Sequence, residues 1–373
     1  MTSFLNAVRV LDFGQFLPGP YCAQILADMG AEVIKLEAPA GDPMRGFGPS
    51  GQDGLSLFYQ GINAGKTVVA VDLKSESGKR DFKALISQAD VLIESFRPGV
   101  LERLGFSRTI LNGLNPRLVH CALSGFGQNG PYRQRSGHDI NYMALAGGLA
   151  ASGTPERPVM TAPPVADFAS GSQAATAIVA ALFGRERSGK GSHLDMSIAE
   201  SVLSWQGMNL TAAGSESHHP ERAGNILNGG YACYQIYQTG DDSFISLGAI
   251  EPKFWANFCT ALDQPAWIVR QNEDAPQESL IAEVAKTIAG NDLAHWESLL
   301  DPVDCCFHAL IDPDNLSRHP QILERRMLHE DPVEPGLVHA LYPAWINDQP
   351  PRPRLPVKTA DCSEILESWA TGR

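Results

Sequence analysis

At 373 residues, with 43% hydrophobic and 19% charged side chains, the chain has globular composition and length enough for two domains. Its formal net charge of −13 repels polyanions on average, which argues against general nucleic-acid binding. A phosphate-bearing ligand must then be held by specific Lys, Arg and backbone N–H groups.

The seven cysteines are scattered without a CxxC pair, which reads as reduced thiols in a reducing compartment. The opening MTSFLNAVRVLDF lacks a basic segment followed by a long apolar stretch, and the best apolar run, 175–184, is too short to span a bilayer. The expectation is a cytoplasmic, unanchored protein with no membrane partner.

Residues 8–13 read as a buried strand, followed by the loop GQFLPGP and an apolar-periodic helix from about Tyr21 to Met29. Gly30 stops the helix, and EVIKLE at 32–37 is the next strand. The pattern repeats: strand 67–73, helix 78–88, strand 90–95, short helices after Gly99 and near 107–113, and strand 117–124. Such alternation predicts an α/β protein with a large Rossmann-like, doubly wound parallel sheet. Ligands of these sheets lie beyond the carboxyl ends of the strands, at the loops 14–20, 72–77, 95–99 and 124–138. The text turns helical from 137 to about 210, apart from a strand at 192–197. A polar, Gly-rich stretch at 214–230 reads as a linker. Strands at 231–239 and 243–249 and helices to about 330 suggest a smaller α+β domain. The division expected is 1–214 as a large domain completed by 331–373, with 225–330 as the small one.

Several motifs are missing. GQFLPGP breaks the dinucleotide fingerprint, no Walker loop or GxSxG elbow occurs, and His218–His219 sits in a polar loop without a third metal ligand. What remains is titratable: His138 and Asp139 in SGHDINY, Asp167 in PVADFASGS, and Glu251 in LGAIEPKFW. His138 and Asp139 open a predicted helix, where free N–H groups favour an anion. The plain alternative is that Asp139 caps that helix and His138 packs on it. Asp167 likewise opens a helix as a possible cap, although the small residues after it leave room for a bulky ligand. Glu251 is open to reading as an ordinary exposed carboxylate. On spacing alone this is an acid–base site in an α/β enzyme.

The blocks GPYCAQILADMGAEVIKLEAPAGDPMR, NAGKTVVAVDLKSESGK, ADVLIESFRPGVLERLGF and ERSGKGSHLDMSIAES resemble the CaiB/BaiF family, the family III CoA-transferases, in the right order over nearly the whole chain. SGHDINY and GAIEPKFW resemble its α-methylacyl-CoA racemase branch. That resemblance implies racemisation at the α-carbon of a 2-methylacyl-CoA thioester by two-base 1,1-proton transfer. His138 and Asp167 would exchange the proton, with Asp139 and Glu251 as a supporting pair. In the transferase branch the Asp at this position instead forms an aspartyl–CoA intermediate, so CoA transfer between carboxylic acids is the alternative. VADF in place of GDF, and an N-terminal third resembling the transferases, point that way. Ala38 stands where racemases carry a nucleotide-holding Arg, with Lys35 and Arg45 as substitutes to consider.

By resemblance, coenzyme A enters as part of the substrate, no cofactor is bound permanently, and no metal is needed. The CoA-binding residues implied are Val71, Asp72, Leu73 and Lys74 in the VDLK turn, Ser95, Phe96 and Arg97 in the next loop, Arg103 one helical turn on, and Gly137. Without the resemblance, Arg97 and Arg103 read as a solvent-exposed pair on a short helix. The family resemblance also implies an interlocked homodimer, with Glu251 contributed in cis or across it.

Overall fold

The computed structural model describes residues 4–214 and 221–371. His218–His219 lies outside them. The protein is α/β, divided into two units: 1–146, 162–205 and 317–373 form the first, 147–161 and 206–316 the second.

The first unit is built on a parallel sheet. Its strands in chain order are β1 (Arg9–Phe13), β2 (Glu32–Glu37), β3 (Thr67–Ala70), β4 (Val91–Glu94), β5 (Val119–Ser124) and β6 (Ser192–Ser197). Their order across the sheet is β3-β2-β1-β4-β5-β6, every pair parallel. Every residue of β1, β4 and β5 is buried, because helices cover both faces of central strands and leave no alternation to read. The order reverses at β1, which opens a crevice at the carboxyl ends of β1 and β4.

Local chemistry sets the helix ends. The helix Pro18–Asp28 starts with Pro at its first position, where no N–H is needed, and stops at Gly30 with φ +99°. Ser75 caps the helix Glu76–Ile86 by accepting the Gly78 N–H. The helix Val165–Ser188 is long and apolar enough by length and composition to cross a membrane. It instead packs against the 18–28 helix and against β5 and β6.

The Pro-rich tail returns to this unit. A hairpin, Leu328–Glu330 with Val338–Ala340, precedes the two-residue strand Lys358–Thr359, which extends the sheet beside β3. The last helix, Cys362–Thr371, then buries Ile365 and Trp369 in the core formed with Phe82, Leu85 and Leu92.

The second unit is a smaller α+β body. Tyr234–Gln238, Phe244–Gly248 and Phe307–Ala309 form an antiparallel sheet. Its core gathers Trp255, Phe258, Leu280, Val284 and Trp296 from the helices Pro252–Ala261, Glu278–Ile288 and Leu293–Leu300.

Candidate active site in the large unit

The loop after β1 is held by buried charge. Lys66 spends all three ammonium protons on Asp12 Oδ2 at 2.9 Å, the Pro20 carbonyl at 2.8 Å and Asn63 Oδ1 at 3.0 Å. Lys35 reaches the Gly14 carbonyl and Asp42 Oδ2, both at 2.9 Å. All four charged side chains are essentially inaccessible, and burying them is tolerated only because each is paired. Burial alone would raise the Asp12 pKa, but Lys66 and Lys35 outweigh it and hold the group below its usual value. Burial lowers Lys66 to about 8 against the pull of Asp12.

Lys35 is therefore not free to hold a nucleotide. Arg45 is committed too, to Glu37 at 2.7 Å and the Tyr59 hydroxyl at 2.8 Å. Both lysines serve the loop: Asp42 Oδ1 also accepts the Phe16 N–H, and Ser95 Oγ accepts the Gln15 N–H.

Beyond the strand ends lies a cleft of about 400 Å3. Three of its walls come from separate strand ends: Gln15 and Phe16 after β1, Ser95 to Pro98 after β4, and Ser124 and Gly125 at the end of β5. Arg133, Arg135, Gly137, His138, Tyr142 and Asp167 also line it. His138 and Asp167 thus face one cleft, with Ser95, Phe96, Arg97 and Gly137 of the residues expected to bind CoA. Val71, Asp72, Leu73, Lys74 and Arg103 are not in its lining. Val71 and Leu73 are core residues, so that turn offers a ligand only its backbone, Asp72 and Lys74. Asp72 Oδ1 already accepts the Lys74 N–H at 2.9 Å. Arg97 and Arg103 are both exposed.

Asp139 has a different task from capping its own helix, Asp139–Leu145. Its Oδ1 accepts the N–H groups of Ala166 at 2.7 Å and Asp167 at 3.2 Å. It thereby caps the 165–188 helix, whose own cap residue, Pro164, has no side-chain acceptor. Asp167 is the third residue of that helix, not its cap. Burial first, and the neighbouring Asp139 charge second, push the Asp167 carboxyl up to about 7.

The start of the 139–145 helix is also partly used: the His138 N–H donates to Asn141 Oδ1 at 3.0 Å. The His138 ring meets the edge of Phe16, centroids 5.9 Å apart. Phe16 holds φ +58°, a conformation that costs a non-glycine residue about 1–2 kcal/mol and is stabilised here by its Asp42 contact. Glu251 belongs to the second unit, exposed at the N-terminus of the 252–261 helix.

Three residues escaped the sequence reading. Tyr142 is buried, donates to the Gly137 carbonyl at 2.6 Å, and is pushed up to about 12 by burial and by Asp167. Arg133 and Arg135 lie just before SGHDINY, in GPYRQRSGHD, and their pairing of cations in an acidic chain was the available signal. With Arg97 they give the cleft the positive lining an anionic ligand needs. Among the described residues, no group of three or more His, Cys, Asp or Glu side chains is placed to hold a metal ion.

Residues 5–357 match the family model described as CoA-transferase family III. Succinyl-CoA–D-citramalate CoA-transferase of Chloroflexus aurantiacus is 38% identical over 263 residues, 70% of this chain and 65% of that protein. Alpha-methylacyl-CoA racemase of Mus musculus is 34% identical over 324 residues, 86% of this chain and 81% of that one. The crystal structure of a CaiB/BaiF family protein from Brucella suis superposes with a TM-score of 0.83 at 25% identity, covering 95% of this chain and 97% of that one. With the match running nearly end to end and the same fold in a solved member, the chain belongs to the CaiB/BaiF family, the family III CoA-transferases.

Proposed function

We propose that the protein is an enzyme acting on acyl-CoA thioesters, moving CoA from a thioester to a free carboxylic acid with Asp167 as nucleophile. The observation that carries this reading is one half-buried carboxyl, Asp167, held at a helix start in a cleft lined by Arg97, Arg133 and Arg135.

In this scheme the ionised Asp167 attacks the thioester carbonyl carbon, the C–S bond breaks, and CoA leaves as thiolate. The thiolate then attacks the aspartyl carbonyl of the mixed anhydride, releasing the donor acid as carboxylate and leaving an aspartyl–CoA thioester. An acceptor carboxylate reverses the sequence. Charge balances without redox chemistry. A carboxyl near 7 is about half ionised at neutral pH, and its basicity makes the ionised form a better nucleophile.

Racemisation of a 2-methylacyl-CoA is the second reading, favoured by His138 sharing the cleft with Asp167. The sequence alone ranks it first. Transfer moves ahead because it asks for one held carboxyl, whereas racemisation needs two bases on opposite faces of one carbon. A transferase is also among the relatives, at 38% identity.

Trapping separates them. Incubation with acyl-CoA and hydroxylamine should modify Asp167 and block turnover. Deuterium uptake at the α-carbon in heavy water, without acceptor acid and without trapping, would establish the second reading instead.

The CoA moiety is proposed to contact Ser95, Phe96, Arg97 and Gly137, with Asp72, Lys74 and Arg103 further along it. Glu251 is proposed as the supporting acid. A homodimer is proposed on family grounds and on exposed Phe183, Leu203 and Trp205 in the large unit. Seven free thiols, five of them buried, support a reducing, cytoplasmic setting.

A further inference from the structure

At the opposite end of the same strands lies a second polar cavity of about 310 Å3, lined by Arg108, Thr109, Asn112, His120, Ser192 and His193, among others. His120 is the second residue of β5 and Ser124, beside the cleft, is the last. Four strand residues put the two sites about 13 Å apart along the sheet.

The helix Arg108–Leu114 turns Leu111 into the core, and its Arg108, Thr109 and Asn112 line the cavity. Parallel register sets His120 beside His193, and the two rings meet edge to face with centroids 4.9 Å apart.

His120 is 8% exposed, yet neither ring nitrogen has a hydrogen-bond partner. A buried donor left unmade costs about 1–3 kcal/mol, so such a group signals a missing partner. Glu94 does not supply it: Oε1 stands 3.8 Å from Nε2, and Oε2 is committed to the Phe96 N–H at 2.7 Å. His193 is held below its ordinary pKa by burial, then by His120 and Arg108, with Asp195 opposing. Three groups able to carry positive charge therefore crowd one cavity in a chain of net charge −13, and each would be relieved by one anion.

We propose that this cavity is a binding site for a small oxyanion of the phosphate class, held by Arg108, His120 and His193. Thr109, Asn112 and Ser192 add hydroxyl and amide donors to its lining. The site is separate from the cleft of Asp167 and takes no part in the reaction proposed there. Glu94 and Asp195 are the acids facing it. They oppose anion binding while His193 is neutral, so occupancy should follow its protonation.

The test is titration of the full-length protein with inorganic phosphate, followed by calorimetry and by histidine ring proton resonances. Saturating CoA is present throughout, to occupy the other cleft. Saturable binding should tighten about tenfold from about pH 8 to about pH 6. Arg108→Ala and His193→Gln, at positions outside the catalytic cleft, should each weaken it about tenfold and leave turnover unchanged. They serve even where a substitution of buried His120 fails to fold. A parallel titration with adenosine monophosphate tells the sources apart: tighter binding than phosphate means a nucleotide phosphate, equal or weaker binding a free one. Absence of saturable binding near pH 6, or binding that both variants leave intact, would overturn the proposal.

Discussion

The Asp139 carboxylate accepts the backbone N–H of Asp167 at 3.2 Å, so the two acids are coupled through a helix start rather than side chain to side chain. The arrangement has two effects. It fixes the first turn of the helix that carries Asp167, and it places a negative charge where it opposes ionisation of Asp167.

Asp139→Asn keeps an acceptor oxygen and removes the charge. The Asp167 pKa should fall from about 7, though burial, the larger cause, remains. The acid limb of the kcat/KM profile should therefore move to lower pH. Asp139→Ala should also lose about 1 kcal/mol of stability with the cap, seen as a lower melting temperature. An unmoved acid limb in Asp139→Asn would mean that Asp167 is not the titrating group.

Asp167 itself opposes folding at neutral pH. Its folded pKa, about 7, lies above the reference 3.8, so folding favours the neutral acid. The resulting penalty is absent below the unfolded pKa, grows as pH rises between the two, and is complete above about 7, at most about 4 kcal/mol. Asp167→Asn should thus abolish turnover yet melt higher than the parent protein near pH 8. Near pH 4 the two should melt alike. A variant less stable at both pH values would contradict the buried-acid assignment.

The Asp12–Lys66 pair predicts a different response. Lys66→Met leaves Asp12 charged and fully buried without its ion-pair partner, at a cost of about 3–5 kcal/mol in denaturant unfolding. Adding Asp12→Leu should recover much of that loss, because an apolar pair needs no desolvation. Activity should not return with stability, since the 14–20 loop loses its anchors at Gly14 and Pro20. If the single variant unfolds like the parent, the network carries no energy.

The strands at 32–37 and 192–197 were legible from β-branched and alternating residues, and so was the parallel sheet. The edge strand Lys358–Thr359 was not. Two residues beside a Pro-rich run carry no periodicity, and only pairing with β3 makes them a strand. The site divides similarly. Asp167 and His138 are visible as titratable groups at helix starts, and the structure brings both to one cleft. Asp139's role was hidden because its acceptors' partners are backbone groups 27 and 28 residues away, which no residue type announces. Val71 and Leu73 show the converse: a motif marks a turn but does not say which side chains face the core. The His120–His193 contact depends on strand register, and two histidines 73 positions apart in the chain give no local sign of it.

Gly171 lies one helical turn beyond Asp167, on the same face of the 165–188 helix. A Cβ there would stand 2.8 Å from the Pro18 carbonyl oxygen and 2.8 Å from Tyr21 Cδ1, where the helix crosses Pro18–Asp28. The carbonyl belongs to backbone and cannot rotate away, so Gly171→Ala must push the two helices apart. Overpacking of this kind costs about 1–3 kcal/mol. Asp167 moves with the helix, and a displacement near 1 Å is worth on the order of a hundredfold in rate. Turnover should fall far more than CoA affinity, because Arg97 and Ser95 sit on a different loop. Full kcat in a well-folded Gly171→Ala variant would show that helix placement does not position the carboxylate.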